Sequence, residues 1–446
     1  MDLQPWLIGL FLFLAGCCLG SFLNVVIWRL PHYGTPTHFA SQTATLTLSW
    51  PSSHCPVCHS SIRWYCNIPV ISWLFLGGRC DICRTPVSVR YPLVELSVGL
   101  LFLALYLAYF FGGWGGEGFQ FPFHGDLTLL LHLFYVFALL AASAIDIDWF
   151  EIPLILPGLL LAVALAACVA GFGPMLPTLS VDMPTAKIAL GATIGLLVSN
   201  ALLYLKILPR SFPLPPYPVA APSRPLTPPP SPAHPGWMLV ASAIVLLLIL
   251  AAWFAYGLKI AALAMLAGGV LIFLIGVLPR GTASDLAEQV LEETRITSAR
   301  REILKEVLFL LFPFFFAFAG LFLPLQIPAL PVVERLLGVL FGMLCGGWLI
   351  WAVRIAGTLM LGRVAMGLGD VFLLAGIGAV VGVPLVGIIF FLAPILALLW
   401  AIVIIILGRP NVLPYGPWLS VAGILALLVG TPIVNWYAQR IFAHPF

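Results

Sequence analysis

Stretches of about twenty apolar residues recur along nearly the whole chain, at 5–27, 95–115, 126–146, 152–172, 187–207, 237–257, 259–279, 307–327, 336–356, 371–390, 391–408 and 418–437. A hydrocarbon core roughly 30 Å thick is crossed by about 20 such residues in a helix. Backbone amides inside it must be satisfied within the segment, which leaves the helix as the structure for runs of this length. Charged residues make up only 8% of the chain, against 62% hydrophobic ones, where a soluble domain carries about a quarter charged. The expected fold is an all-α polytopic membrane protein of about twelve transmembrane helices, with the lipid bilayer as its main partner. The net charge of +3 is small and scattered, and predicts no nucleic-acid partner.

Charge placement orients the helices. With the first residue outside and each run crossing once, only Lys187, Lys259, Arg335 and Arg440 of the 20 Lys and Arg residues fall outside. The remaining sixteen fall inside, as the positive-inside rule requires. Both ends of the chain are then expected on the extracytoplasmic side. Leu14-Ala15-Gly16-Cys17 has the look of a processed leader, but no basic segment precedes it and the apolar run continues to Ile27 before Arg29. The first run is therefore expected to stay as a helix.

Composition divides the chain further. Residues 1–28 form the first helix, and 29–92 form a polar, cytosolic segment rich in Cys, Pro, Arg and Ser. Residues 93–207 carry four more helices. Residues 208–236 hold twelve prolines between Pro209 and Pro235, which excludes a helix or a paired strand and predicts an extended tether. Residues 237–357 hold further helices around an inside loop, 280–306. Its charges, from Asp285 to Lys305, alternate with Leu286, Val290 and Leu291 and predict an amphipathic surface helix. Residues 358–446 complete the membrane part.

Four of nine cysteines occur as Cys55-Pro-Val-Cys58 and Cys80-Asp-Ile-Cys83, with 21 residues between the pairs. Two such turns bring four thiolates tetrahedrally onto one zinc ion. The alternatives are two disulfides or inert thiols, and a cytosolic loop disfavours disulfides. A closed four-thiolate site is structural and would staple a segment too small to hold a core. Cys66, His54 and His59 lie outside the spacing and are read as non-ligands. Cys17, Cys18, Cys168 and Cys345 fall in apolar runs and read as packing residues.

Acids at a membrane boundary are functional candidates. Asp146 ends the third apolar run, and Asp370 closes Gly367-Leu-Gly369-Asp370 at the start of the tenth. Six runs separate them, and an even number returns the chain to the same face. Two carboxylates in contact resist ionising together and share a proton, so that one can activate water while the other protonates a carbonyl. Asp148 lies about 200° round a helix from Asp146, so only one of the two faces the bundle. Gly367 and Gly369 would let the backbone approach closely. Acids at helix ends are also common for structural reasons.

The cytosolic segment sharpens this reading. It runs Gly20-Ser-Phe-Leu-Asn-Val-Val-Ile-Trp-Arg-Leu-Pro31, then the first cysteine pair, Trp64-Tyr-Cys-Asn-Ile-Pro-Val-Ile-Ser-Trp73, Gly78-Arg-Cys80-Asp-Ile-Cys83 and Arg90-Tyr-Pro-Leu-Val-Glu95. This order resembles the bacterial type IV prepilin leader peptidase and N-methyltransferase family, membrane aspartyl peptidases with a G-x-G-D motif. Ile145-Asp146 resembles the family's first catalytic aspartate, Gly367-Leu-Gly369-Asp370 its G-x-G-D motif, and Leu413-Pro-Tyr-Gly-Pro417 the turn before its last helix. The resemblance covers roughly 1–157 and 360–440. It implies cleavage of the leaders of type IV prepilins and type II secretion pseudopilins at the cytosolic face of the bacterial inner membrane. The long cysteine-bearing loop implies a second activity, N-methylation with S-adenosylmethionine as methyl donor. A catalytically silent assembly scaffold for a pilus or secretion system is the alternative, and a transporter is a third. The chain departs from the family at Leu154, where an Asp usually follows the proline, at Phe372, where a Lys is frequent, and in having six helices between the aspartates where two are general.

Overall fold

The computed structural model describes residues 4–33, 36–39, 42–110, 126–170, 183–211, 236–256, 258–277, 299–322, 324, 330–406 and 414–427. Among them are twelve helices of ten residues or more, one at each of the twelve apolar runs. They are α1 (Gln4–Arg29), α3 (Arg90–Phe110), α4 (Asp126–Trp149), α5 (Ile155–Val169), α6 (Met183–Tyr204), α7 (Gly236–Tyr256), α8 (Leu258–Val277), α9 (Ala299–Phe322), α10 (Pro331–Leu361), α11 (Leu368–Val381), α12 (Val383–Ile406) and α13 (Gly416–Leu425). A short α2 (Ile71–Phe75) and an antiparallel pair, β1 (Pro36–Phe39) and β2 (Gln42–Thr45), lie between α1 and α3. Seven helices among the described residues are long and apolar enough to cross a membrane: α1, α3, α4, α6, α9, α10 and α12. The remaining five give shorter apolar stretches.

One boundary differs from the sequence expectation. The break between the tenth and eleventh runs falls at Gly382, not at 390/391. Gly382 takes φ +77° and accepts the end of α11, its N–H donating to the Gly378 carbonyl. Pro384 follows in the first turn of α12. Hydropathy is uniform across 371–406 and carries no boundary, whereas a glycine stop followed by a proline start is the local punctuation of consecutive helices. The proline-rich tether lies outside the described residues over 212–235. The expected surface helix lies outside them up to 298, and from Ala299 the chain is helical through to Phe322.

The chain forms two compact units. One comprises residues 1–137, 147–149 and 220–279, and the other 138–146, 150–219 and 280–446. Helix α4 thus contributes residues to both.

In the first unit α1 packs along α3, and α3 along α8, which pairs with α7. The α1–α3 contact depends on small residues four apart. A Cβ at Gly16 would lie 2.8 Å from the Gly99 Cα, and one at Gly20 2.6 Å from the Glu95 Cα. In lipid, where helices gain nothing by hiding apolar surface from one another, such backbone-to-backbone approach is the main source of association. Polar links finish the pair: Tyr106 donates its hydroxyl to the Pro5 carbonyl at 3.0 Å, and Asn24 Nδ2 donates to the Tyr91 carbonyl at 3.3 Å.

The second unit repeats the device twice. Gly191 and Gly195 of α6 face α9, and a Cβ at Gly195 would lie 2.5 Å from the Phe312 carbonyl oxygen. Ser199 adds a hydrogen bond from its hydroxyl to the Phe309 carbonyl at 2.6 Å. Gly342 and Gly346 of α10 face the backbone of α11 at Gly378 and Leu374, with no space for a Cβ. Helix α11 also packs on α5, where a Cβ at Gly376 would lie 2.9 Å from the Pro157 Cα, and on α13.

Candidate active site and metal centre

The two cysteine pairs come together in the first unit. The Sγ atoms of Cys55, Cys58, Cys80 and Cys83 all lie within 4.8 Å of one another, and those of Cys55 and Cys83 are 3.7 Å apart. Tetrahedral zinc with Zn–S bonds of about 2.3 Å separates its sulfurs by about 3.8 Å, so the four thiols fit that ion. His54, His59 and Cys66 do not join the cluster.

Each knuckle is built the same way. Cys55 N–H donates to the Ser60 carbonyl at 3.0 Å and His59 N–H to the Cys55 carbonyl at 2.9 Å. Cys80 N–H donates to the Thr85 carbonyl at 2.8 Å and Arg84 N–H to the Cys80 carbonyl at 3.1 Å. His59 and Arg84, one residue beyond each second cysteine, take φ of 56° and 58°. That left-handed residue turns the chain back so that the next side chain meets the sulfur. Ser60 Oγ lies 2.8 Å from Cys58 Sγ, and the hydroxyl and backbone N–H of Thr85 hydrogen-bond Cys83. These bonds, with the Thr85 hydroxyl first, pull the Cys83 thiol down to about 6, and the Ser60 hydroxyl also lowers Cys58, whereas burial raises Cys55 to about 11. Ser60 and Thr85 escaped the sequence reading, although the repeated Cys-x-x-Cys-x-(Ser/Thr) pattern is their signal.

The module is fastened to the helices that flank it. Arg29 Nη1 donates to the carbonyls of Thr47 and Leu48 at 3.2 and 3.3 Å. The Val70 N–H donates to Glu95 Oε2 at 2.7 Å. Arg90 pairs with Asp148, its two guanidinium nitrogens donating to the two carboxylate oxygens at 2.9 and 2.5 Å. Both acidic and basic residues of the Arg90–Glu95 phrase therefore have structural partners.

Asp148 is thus held by an arginine, while Asp146, two residues earlier, belongs to the second unit. There Asp146 is buried, and its Oδ2 accepts the Gly416 N–H at 2.9 Å. Asp370, the third residue of α11, is buried in the same unit and lies within electrostatic reach of Asp146 and of Tyr415. Ile152 stands between the elements. A Cβ at Gly369 would lie 2.9 Å from the Ile152 Cβ, and one at Gly416 would lie 2.9 Å from the Ile152 Cδ1 and 2.6 Å from Asp146 Oδ2. The structure so brings Asp146 and Asp370 together around Ile152, Gly369 and the Tyr415-Gly416 turn. Gly367 takes φ −68° and ψ 152°, a conformation open to any residue, and a Cβ there would make only an ordinary contact with Asp370. Among the described residues, six helices, α5 to α10, lie between the two acids in the chain. Two adjacent buried carboxyl groups have the make-up of a water-activating pair.

A family model described as the Bacterial Peptidase A24 N-terminal domain matches residues 14–109. The chain is 40% identical over 178 residues to a prepilin leader peptidase/N-methyltransferase of Klebsiella pneumoniae, covering 38% of this chain and 72% of that protein. It is 41% identical over 162 residues to a protein of the same name from Myxococcus xanthus, covering 36% of this chain and 41% of the relative. It is 40% identical over 143 residues to a type 4 prepilin-like proteins leader peptide-processing enzyme of Escherichia coli, covering 30% of this chain and 46% of the relative. The match thus spans less than half the length of the last two. No solved structure matches the chain. The cysteine phrases and 40% identity across most of the Klebsiella protein together place this chain in the prepilin leader peptidase/N-methyltransferase family.

Proposed function

We propose that this chain is an aspartyl endopeptidase of the bacterial inner membrane that removes the leader peptides of type IV prepilins and type II secretion pseudopilins at the cytosolic face, and then N-methylates the new N-terminus. The observation that carries the reading is the buried pair Asp146 and Asp370, drawn from helices far apart in sequence to one Gly416-lined site, in a chain of this family.

The chemistry follows from the shared proton. One carboxylate takes a proton from water as the water oxygen attacks the scissile carbonyl, while the other, protonated, donates to the carbonyl oxygen. Collapse of the tetrahedral adduct breaks the C–N bond, and the departing nitrogen takes up a proton from the acid pair. The freed α-amine would be the acceptor for the second activity, for which S-adenosylmethionine would supply the methyl group, leaving as S-adenosylhomocysteine as the amine nitrogen loses a proton. Zinc on Cys55, Cys58, Cys80 and Cys83 would cross-link the module between α1 and α3 and fill all its positions with thiolate, a structural role without an open site for substrate.

The test is processing of a prepilin in membranes by the parent, Asp146→Asn and Asp370→Asn, with the mature N-terminus read by mass spectrometry. The reading requires cleavage and a methylated product from the parent and cleavage lost in both variants. An uncut prepilin with the parent, or cleavage retained in both variants, overturns it.

A further inference from the structure

Helix α9 lies in the stretch between the two acids, and its first turns contain a residue that solvation does not explain. Glu306 is only 2% exposed. Its Oε1 accepts from Arg354 Nε of α10 at 3.0 Å, and its Oε2 accepts from Trp351 Nε1 at 2.8 Å. Both lobes of the carboxylate are therefore used, which fixes its plane as well as its position. Arg354 is equally buried, at 3%.

The far side of the guanidinium is occupied too. Arg354 Nη1 donates to the carbonyl oxygen of Met366. Met366 directly precedes Gly367-Leu368-Gly369-Asp370, and the connection has further side-chain ties, from the Ala365 N–H to Thr358 Oγ1 at 3.1 Å and from the Gly367 N–H to the Asp370 carboxylate. Gly362 ends α10 in the left-handed conformation at φ +66°. Between that turn and the first residue of α11, five residues must deliver Asp370 to Asp146.

We infer that Glu306 is a positioning residue: through Arg354 it holds the Met366 carbonyl, and so sets where the segment before α11 presents Asp370. This rests on the reading of Asp370 as a catalytic acid. The physical case has three parts. A buried guanidinium needs a counter-charge, because an unpaired one carries its full desolvation cost. A guanidinium tied through Nε by a charge-assisted hydrogen bond to a carboxylate that Trp351 also holds loses its freedom to swing away from the Met366 carbonyl. A carboxyl group displaced by about 1 Å from its working position costs on the order of a hundredfold in rate. The arrangement also gives α9 a role in the site: α6 and α9 pack as a pair, α10 rests on both, and Glu306 is the buried charge that α9 extends toward the α10–α11 connection.

Removing one charge alone would leave the other buried and unpaired, and the protein could fail to fold. The decisive variant is therefore the double replacement Glu306→Leu with Arg354→Met, which removes both charges together and keeps apolar volume, a change that is often neutral or stabilising for a buried pair. Trp351→Phe is its milder companion, freeing one carboxylate oxygen without touching either charge.

Prepilin cleavage by purified full-length protein in nanodiscs is measured with hydrogen exchange over residues 362–370. The double variant is expected to keep the melting temperature of the parent, to lose at least tenfold in kcat with KM within about threefold, and to exchange faster over 362–370. Trp351→Phe is expected to show a smaller loss in kcat in the same direction. A double variant with parental kcat and parental exchange overturns the proposal, as does a loss confined to KM. If the parent itself does not cleave, the peptidase reading fails, and exchange alone then decides: faster exchange over 362–370 supports the clamp and unchanged exchange overturns it.

Discussion

Gly416 donates its backbone N–H to Asp146 Oδ2 at 2.9 Å across 270 residues of sequence. The donor is the first residue of α13, where backbone N–H groups have no intrahelical partner and are free to bind a carboxylate. The contact exists only because residue 416 has no side chain: a Cβ would lie 2.6 Å from the same oxygen it serves. Gly416→Ala must therefore push Asp146 or α13 aside. Cleavage is expected to fall by at least tenfold while zinc content stays at the parental value, which activity assays and elemental analysis of the same preparation would check.

The two motif glycines should respond differently. A Cβ at Gly369 meets the Ile152 Cβ at 2.9 Å, whereas one at Gly367 meets nothing nearer than Asp370 Oδ2 at 3.5 Å. Gly369→Ala is expected to cost at least ten times more in kcat/KM than Gly367→Ala. Equal losses in the two variants would mean that the close approach to Ile152 is not what the motif requires.

Metal content offers a prediction independent of proteolysis. The parent purified without chelator should carry one zinc per chain, and Cys58→Ser or Cys83→Ser should lose it, whereas Cys66→Ser should not. Ser60→Ala with Thr85→Ala leaves every ligand in place but removes the hydroxyls that hydrogen-bond the second sulfur of each knuckle. Loss of such outer partners typically weakens metal binding by roughly 10–100-fold. Competition with a chromogenic chelator would measure it.

Arg90 and Asp148 form a bidentate pair with about a fifth of each side chain exposed. Replacing one member leaves the other poorly solvated, and a loss of about 1–3 kcal/mol is expected for Asp148→Asn, between the values for exposed and fully buried pairs. Thermal unfolding in detergent should show the drop, with cleavage at a permissive temperature within about threefold of the parent. On the proposed reading, the contrast with Asp146→Asn, two residues earlier, separates a structural acid from a catalytic one.

How much of this could be read from the chain depends on the range of each signal. Cys55, Cys58, Cys80 and Cys83 were legible because ligand spacing is local, and the helices because apolar length is. That Asp146 and Asp148 face different ways follows from helical geometry alone, and their partners bear it out. The break at Gly382 leaves no mark in hydropathy and is carried instead by a glycine stop followed by Pro384. The helix-contact glycines Gly191 and Gly195, and Gly342 and Gly346, are spaced four apart and were open to reading, but which backbone each would meet was not. Glu306 sits in a stretch whose charges pattern as a solvated face. Nothing nearby in sequence announces that its partners are Trp351 and Arg354, 45 and 48 residues on. Gly416 belongs to the same class: its role is written in a residue of another helix.

The glycines that join α10 to α11 have a consequence for how a substrate could be admitted. With Gly342 and Gly346 set directly against the backbone of α11, sliding or parting these helices would cost many atomic contacts at once, and interfaces of this density shift between discrete states and do not flex continuously. On the proposed reading, Asp370 then rides on a fixed jaw. The Gly416 N–H that reaches Asp146 comes from the start of α13, which itself packs on α11 and α12. An extended peptide seeking the space between the acids would then have to be accommodated without parting α10 from α11.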